Sequence, residues 1–306
     1  MKLSGVAMVC RHARSLVTIA IFGATTFAQV ARANDPTVPP GWVSRPIPAP
    51  SDPEWTCANG SRDEWIVSAG KGTLEITREN ATKPVITLPF EPLLNTEEAD
   101  TELDTPSVVQ AVLDGYLVGY DWGEFGGGLY WFSKDGRKHT RMAPPVAARS
   151  DWFPENVYAI AEYGGNFFVF QGLSHLSLRL GRVLKVRPTE KGWRASAFAS
   201  LNATPEVVQQ EGSGAWLMAS TDGVSRIGTN GTVRRLWGRS DVLVETDPNS
   251  IARSTDGNVY VGMRAWVLRL TWAQAEARWR ADLLAPASCI RMMADDRCLC
   301  RAAPHK

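Results

Sequence analysis

His175 and Glu124 are side chains that can pass a proton, one as acid and one as base, which is what a lyase requires. Each falls in a polar, glycine-containing insertion, Glu124 in Asp121-Trp-Gly-Glu-Phe-Gly-Gly-Gly128 and His175 in Gln171-Gly-Leu-Ser-His-Leu-Ser-Leu-Arg-Leu-Gly181. The chain has four histidines, and only His139 and His175 lie well inside it. A lone imidazole more often serves as a hydrogen-bonded structural group, and that is the competing reading. Trp122 and Trp152 occupy loop positions where an indole can stack on a sugar. Together with Glu124, Asn156, His175 and Asn249 they form the candidate ligand-binding set. Asn156 and Asn249 also suit Asx turns at the start of a strand, which would spend their side chains on backbone amides.

A second set of oxygen donors follows a series of prolines: Glu54, Asn156, Glu206 and Asn249. If they converge, they could hold a divalent cation that polarises a carbonyl and acidifies a bound water. Glu91 to Asp104 carries six carboxylates and no basic residue, but without the ordered spacing of a calcium loop it reads as a solvated link. Glycines 126 to 128 precede no helix and do not match a phosphate-binding fingerprint.

The elements that must position these residues recur. Six segments are each headed by a proline: Pro53-Glu-Trp-Thr-Cys, Pro106-Ser-Val-Val, Pro154-Glu-Asn-Val, Pro205-Glu-Val-Val, Pro248-Asn-Ser-Ile and Pro286-Ala-Ser-Cys-Ile. Their spacings are 53, 48, 51, 43 and 38 residues. Second strands are expected at Trp65-Ile-Val, Tyr116-Leu-Val, Phe167-Phe-Val, Trp216-Leu-Met and Val259-Tyr-Val, followed by third and weaker fourth strands. Asp135-Gly136, Asp222-Gly223, Asn230-Gly231 and Asp256-Gly257 supply the tight turns.

Four short strands per 40 to 50 residues is the signature of a propeller blade, because one small sheet cannot bury both faces alone. The expected fold is therefore all-β, a six-bladed β-propeller closed by the N-terminal segment, with five or seven blades as the alternative and a pair of β-sandwiches as the rival. The last unit is incomplete, and Gly41 to Arg45 is expected to lie along its outside as an edge strand. The links before each innermost strand and between second and third strands open on one face. The insertions after Asp121 and Gln171 would overhang that mouth.

Pro248-Asn-Ser-Ile-Ala-Arg-Ser-Thr-Asp-Gly-Asn-Val-Tyr-Val resembles the blade motif of the gluconolactonase and senescence-marker propellers, and of streptogramin-lyase-like repeats. The resemblance reaches most of the chain as blades but only this stretch as letters. It implies the fold, and it raises a lactonase-like reading in which Asn249 matches a metal-holding position. Glu54 departs from the pattern by following its proline, and no aspartate base appears on a late blade. Propellers host unrelated functions, so activity does not follow from fold.

Residues 1 to 33 read as a signal peptide, with Lys2, Arg11 and Arg14 ahead of an apolar run from Leu16 to Phe27 and Ala31-Arg32-Ala33 at the cleavage point. The run is shorter than the ~20 residues needed to span a bilayer, so no membrane span is expected. Residues 34 to 52 form a proline-rich lead-in with the closing strand, and residues 53 to 306 the propeller. Cleavage removes four basic residues and no acidic ones, turning a net charge of +1 into −3, which argues against a nucleic-acid partner. Cys57, Cys289, Cys298 and Cys300 remain in a compartment where disulfides persist, and three pairings are open. The expected protein is a periplasmic or secreted monomer that binds a small molecule, glycan, peptide or partner protein through the axial mouth. A metal-dependent hydrolase or lyase is the alternative.

Overall fold

In a computed structural model, residues 35, 37–52, 54–61, 63–70, 73–79, 86–90, 105–142, 155–176 and 178–287 are described. They form five antiparallel sheets. The first is a hairpin of β2 (Glu64–Gly70) and β3 (Thr73–Glu79). The second runs in chain order through β4 (Val108–Val112), β5 (Gly115–Asp121), β6 (Gly127–Ser133) and β7 (His139–Arg141). The third contains β8 (Asn156–Tyr163), β9 (Asn166–His175), β10 (Leu178–Thr189) and β11 (Gly192–Leu201). The fourth contains β12 (Pro205–Gln210), β13 (Trp216–Ser220), β14 (Gly223–Ile227) and β15 (Val233–Trp237). The fifth has β16 (Ser250–Arg253), β17 (Val259–Gly262), β18 (Val267–Ala273) and β19 (Arg278–Pro286), with β1 (Trp42–Arg45) added outside β19. Two short helices, α1 (Glu54–Asn59) and α2 (Ser240–Thr246), complete the elements used below.

Alternation along each middle strand decides how the sheets stack. In β13, Trp216 and Met218 face a core shared with Phe168, Phe170 and Val183 of the third sheet. Leu217 and Ala219, one residue out of step, face Ile251, Val259, Val261 and Leu268 of the fifth. The third sheet repeats the pattern, turning Phe167, Val169 and Leu184 toward Leu117 and Leu129 of the second. Tyr260, Val267 and Leu284 of the fifth meet Val67, Trp65 and Ile76 of the first. Because side chains on a strand point to opposite faces in turn, each sheet apolar on both faces must sit between two others. Sheets stacked face to face in chain order, with their first strands in mutual contact, make a β-propeller.

The N-terminal segment closes onto the fifth sheet, with Trp42 opposite Pro286 and Arg45 opposite Leu283. This corrects the expected partner: the closing strand lies along β19, which runs to Pro286 and offers its edge, not along a sixth unit. Residues beyond 287, where that unit and Cys289, Cys298 and Cys300 fall, lie outside the described residues, as does the side chain of Cys57. A second correction concerns Pro53-Glu-Trp-Thr-Cys, which was expected to be a strand but forms α1. Asp52 Oδ1 accepts a hydrogen bond from Glu54 N (3.0 Å), the arrangement of an N-cap, and Trp55 packs edge-on against Trp266 at 5.3 Å. The expected fourth strand around Val85 to Leu88 is not formed over Ile86–Leu88.

The seam is fastened by Arg269 of β18, whose side chain is only 6% exposed. Its guanidinium reaches Asp282 of β19 (3.0 and 2.6 Å) and Asp35 of the N-terminal segment (2.8 Å), and it also donates to Thr37. Burial alone would raise the Asp35 carboxyl, but hydrogen bonds from Thr37 and Arg269 outweigh it and hold the group below its ordinary value. Removing one partner of a buried ion pair strands the other, so Arg269→Ala should lower stability by about 3 kcal/mol in urea denaturation. A depressed carboxylate contributes stability above its unfolded pKa and loses it as pH falls. The wild type should therefore shed this contribution below the ordinary aspartate range, and the gap to Arg269→Ala should narrow there.

Candidate functional site

Register defines the mouth better than the prolines do. With the second strands aligned on Tyr116, Phe167, Trp216 and Val259, residues Gly119, Phe170, Ala219 and Gly262 become equivalent. The position just before the residue that pairs with each is then Ser107, Tyr158, Glu206 and Asn249. In β8 the pairing slips between Val157 and Ala159, and in β12 between Pro205 and Val207, so Tyr158 and Glu206 are the extra residues of matching β-bulges. Bulges re-aim side chains and collect beside functional sites. These four positions lie at the start of innermost strands in successive sheets and therefore circle the axis.

Their chemistry differs. Ser107 spends its hydroxyl between the second and third sheets, on the carbonyls of Gly119 (3.0 Å) and Val157 (2.6 Å). Burial pushes the Tyr158 phenol well above its ordinary value, and the carboxylates of Asp121 and Glu206 push it further, so the hydroxyl stays a donor throughout the physiological range. Asp121 retains solvent access, yet burial raises its carboxyl above the ordinary aspartate value against a hydrogen bond from Gly123 N (2.9 Å). In Asn249, Oδ1 accepts from the Ser250 hydroxyl (2.9 Å), while Nδ2 is buried with no partner among the described residues. An orphaned buried donor calls for an acceptor, since leaving it unmade costs roughly 1–3 kcal/mol.

The overhanging insertions meet above these groups. Gly123–Phe125 is one 3₁₀ turn, and Asn156, fully buried, ties it to the third sheet by donating from Nδ2 to Gly123 O (2.6 Å). The turn and the tip of the β9–β10 hairpin bring His175 Nδ1 to 3.0 Å from Glu124 Oε2. Both side chains are well exposed, so the pair adds little stability but is open to a ligand. Beside it, Phe125 (85% exposed) and Leu176 (88% exposed) offer bare apolar tips, and Leu176 holds the left-handed φ of 52°.

The nominated residues thus separate. His175 and Glu124 come together, Glu206 and Asn249 share a level of the mouth, and Asn156 acts as an internal brace. Trp122 is half-buried, with its ring against Tyr120 at 5.6 Å and its Nε1 buried without a partner among the described residues. Trp152 lies outside the described residues. Glu54 is chelated by Arg45 (2.6 and 2.7 Å) on the outermost strand of the fifth sheet, away from the axis. With Glu54 and Asn156 engaged elsewhere, the four expected metal ligands do not converge. No group of three or more His, Cys, Asp or Glu suited to a metal occurs among the described residues. Tyr158 and Asp121 escaped the sequence reading, because alignment on prolines equates Glu206 with Glu155; only the bulge register equates it with Tyr158.

No family model matches the chain, and no curated protein sequence does either. Solved structures do. A gluconolactonase from Xanthomonas campestris is similar at 13% identity, covering 72% of this chain and 68% of its own, with a TM-score of 0.36. Virginiamycin B lyase from Staphylococcus aureus is similar at 11% identity over 78% and 73%, with a TM-score of 0.36. The extracellular domain of a hybrid two-component system from B. thetaiotaomicron is similar at 10% over 72% of this chain and 30% of that one, with a TM-score of 0.38. The likeness is one of fold, to enzymes and extracellular domains alike. No helix among the described residues is long and apolar enough to cross a membrane.

Asn156→Ala should free the 3₁₀ turn and cost roughly 1–3 kcal/mol, measurable by thermal melting. Asp121→Asn should act in the opposite sense. A carboxyl raised by folding is stabilising when protonated and less so as pH rises through its folded pKa, so the amide should match the wild type at acidic pH and melt higher at neutral pH.

Proposed function

We propose that this chain is an exported propeller whose axial mouth binds a neutral, polyhydroxylated ligand, a glycan in preference to a peptide. The observation that carries the reading is the level formed by Tyr158, Glu206 and Asn249, with Asp121 beside it. Carboxylates accept from sugar hydroxyls, while the Tyr158 phenol and the orphaned Asn249 amide donate to ring or hydroxyl oxygens. Such a set matches groups that are donor and acceptor at once, and its negative charge disfavours anionic ligands. Phe125 and Leu176 supply apolar rims for the C–H faces of the same ligand. Export rests on the signal-like residues 1 to 33 and agrees with a periplasmic or secreted location.

A catalytic reading is supported by one further observation, the 3.0 Å contact of His175 with Glu124 on the rim. In a lyase, one would remove a proton adjacent to the scissile bond and the other would protonate the leaving oxygen. No metal enters this reading.

Isothermal titration of the mature chain against a panel of neutral oligosaccharides should identify a ligand. Glu206→Gln and Asn249→Ala should each weaken it by about tenfold or more. His175→Gln should leave a pure binder's affinity within about threefold but abolish turnover if the rim pair performs chemistry. Affinity indifferent to both Glu206→Gln and Asn249→Ala would remove the mouth from consideration.

A further inference from the structure

On the face opposite the mouth, the fourth and fifth sheets part around a cleft of about 500 Å³. Its position follows from topology. Glu211 and Ser213 belong to the β12–β13 link, Arg253 ends β16, and Trp272 and Trp279 flank the β18–β19 link, all at the far ends of strands whose near ends face the mouth. The volume lies in the range of small-molecule sites.

Glu211 organises the walls. Its Oε2 accepts from Arg226 Nε (2.6 Å) and its Oε1 from Arg253 Nε (2.7 Å), so one carboxylate orients two guanidiniums from different sheets. Burial opposes the ionised form, yet the two arginines keep the carboxyl below its ordinary value. Arg226 Nη2 is steadied by Ser213 Oγ (3.2 Å) and Arg253 Nη1 by Gly257 O (2.9 Å). Arg253 also lies 5.7 Å over the ring of Trp279. Arg234 lines the same cleft from β15, is exposed, and makes no ion pair among the described residues. Three guanidiniums against one carboxylate leave the cleft cationic in a mature chain that is net acidic.

The aromatic wall is equally fixed. Trp272 meets Trp279 edge-on at 5.6 Å, its Nε1 donates to Gln274 Oε1 (3.0 Å), and it remains 37% exposed. A bare phosphate has no use for an oriented indole, and a neutral sugar has no use for an unpaired arginine. A carboxylate-bearing ring uses both: a guanidinium fork grips the carboxylate in two parallel hydrogen bonds while the C–H face of the ring lies on the indole.

We propose that this interblade cleft is a second binding site, separate from the mouth, for an acidic saccharide of the uronate class, with Arg234 gripping the carboxylate and Trp272 receiving the sugar ring. Glu211 is a positioning residue that holds Arg226 and Arg253 ready, which lowers the ordering cost of binding.

Trigalacturonate titrated into the mature chain, followed by tryptophan fluorescence and calorimetry, tests this directly. Binding should weaken as salt rises. Arg234→Ala and Trp272→Ala should each reduce affinity by about tenfold or more, and Arg234→Lys, which keeps charge but not the fork, should recover only part of it. Both positions are solvent-accessible, and unchanged melting temperatures will show that the three variants fold. Glu206→Gln and Asn249→Ala should leave trigalacturonate binding intact, so failure of this site and failure of the mouth are distinguishable. No binding, equal binding of maltotriose, equal binding of inorganic phosphate, or loss of binding only in the mouth variants would each overturn the proposal.

Discussion

A four-stranded sheet that is apolar on both faces can be satisfied only between two neighbours, and every feature of this protein follows from that constraint. Leu217 and Ala219 look one way and Trp216 and Met218 the other, so the fourth sheet can rest neither on solvent nor on a single partner. The same division of Phe167 and Val169 from Phe168 and Phe170 extends the stack through the third sheet. Radial stacking brings the first strand of each sheet to the axis, which is why four residues far apart in sequence share one level of one mouth. The site is a consequence of packing before it is a consequence of chemistry.

The seam is where that stacking depends on the chain ends. β1 adds a fifth strand to the fifth sheet and brings Trp42 edge-on to Trp65 of the first hairpin at 4.8 Å. Apolar contact alone would leave the N-terminal segment free to slide along β19, because a strand held by one edge is weakly registered. Arg269 removes that freedom. It is almost wholly buried, and only an arrangement that places Asp35, Thr37 and Asp282 around it compensates the loss of water. The ion network thus selects one register, while the indoles supply apolar contact between the two sheets.

Much of the architecture was legible in the sequence because blades leave a strong periodic trace. Tyr116, Phe167, Trp216 and Val259 mark second strands that form, whereas Trp65, expected on a second strand, lies on β2, the first strand of its sheet, because the segment before it is the helix α1; Gly41 to Arg45 was recognisable as an edge strand from its flanking prolines. The misreadings have local causes. A proline before Glu-Trp-Thr-Cys was read as heading a strand, but Asp52 caps a helix there, and side-chain capping outweighs a resemblance to the other five segments. The mouth was half legible. Glu206, Asn249, His175 and Glu124 were nominated from their links, whereas Tyr158 was hidden, because a β-bulge shifts register by one residue and leaves no mark in composition. Asn156, nominated for ligand or metal binding with an Asx turn as the alternative, braces the 3₁₀ turn of the neighbouring sheet, and Glu54 is paired with Arg45.

The two faces of the propeller differ in sign for a reason rooted in the same geometry. At the mouth, the starts of inner strands crowd together; burial and the carboxylates of Asp121 and Glu206 raise the Tyr158 phenol, while burial raises the Asp121 carboxyl. On the opposite face the sheets diverge, leaving space that long side chains can span, and arginines from β14, β15 and β16 reach into it around Glu211. On the proposed reading, carboxylates and a phenol at the mouth suit ligands rich in hydroxyl groups, whereas guanidiniums oriented by a shared glutamate suit a carboxylate. One apolar core between the fourth and fifth sheets runs from Val207 and Ile251 on the mouth side to Leu236 and Trp279 at the cleft, so the two faces are joined by packing and differ in their charged groups. Interactions more than a Debye length apart are screened at physiological salt. The groups proposed to bind ligands sit in links and at strand ends, outside the apolar alternation that holds the stack.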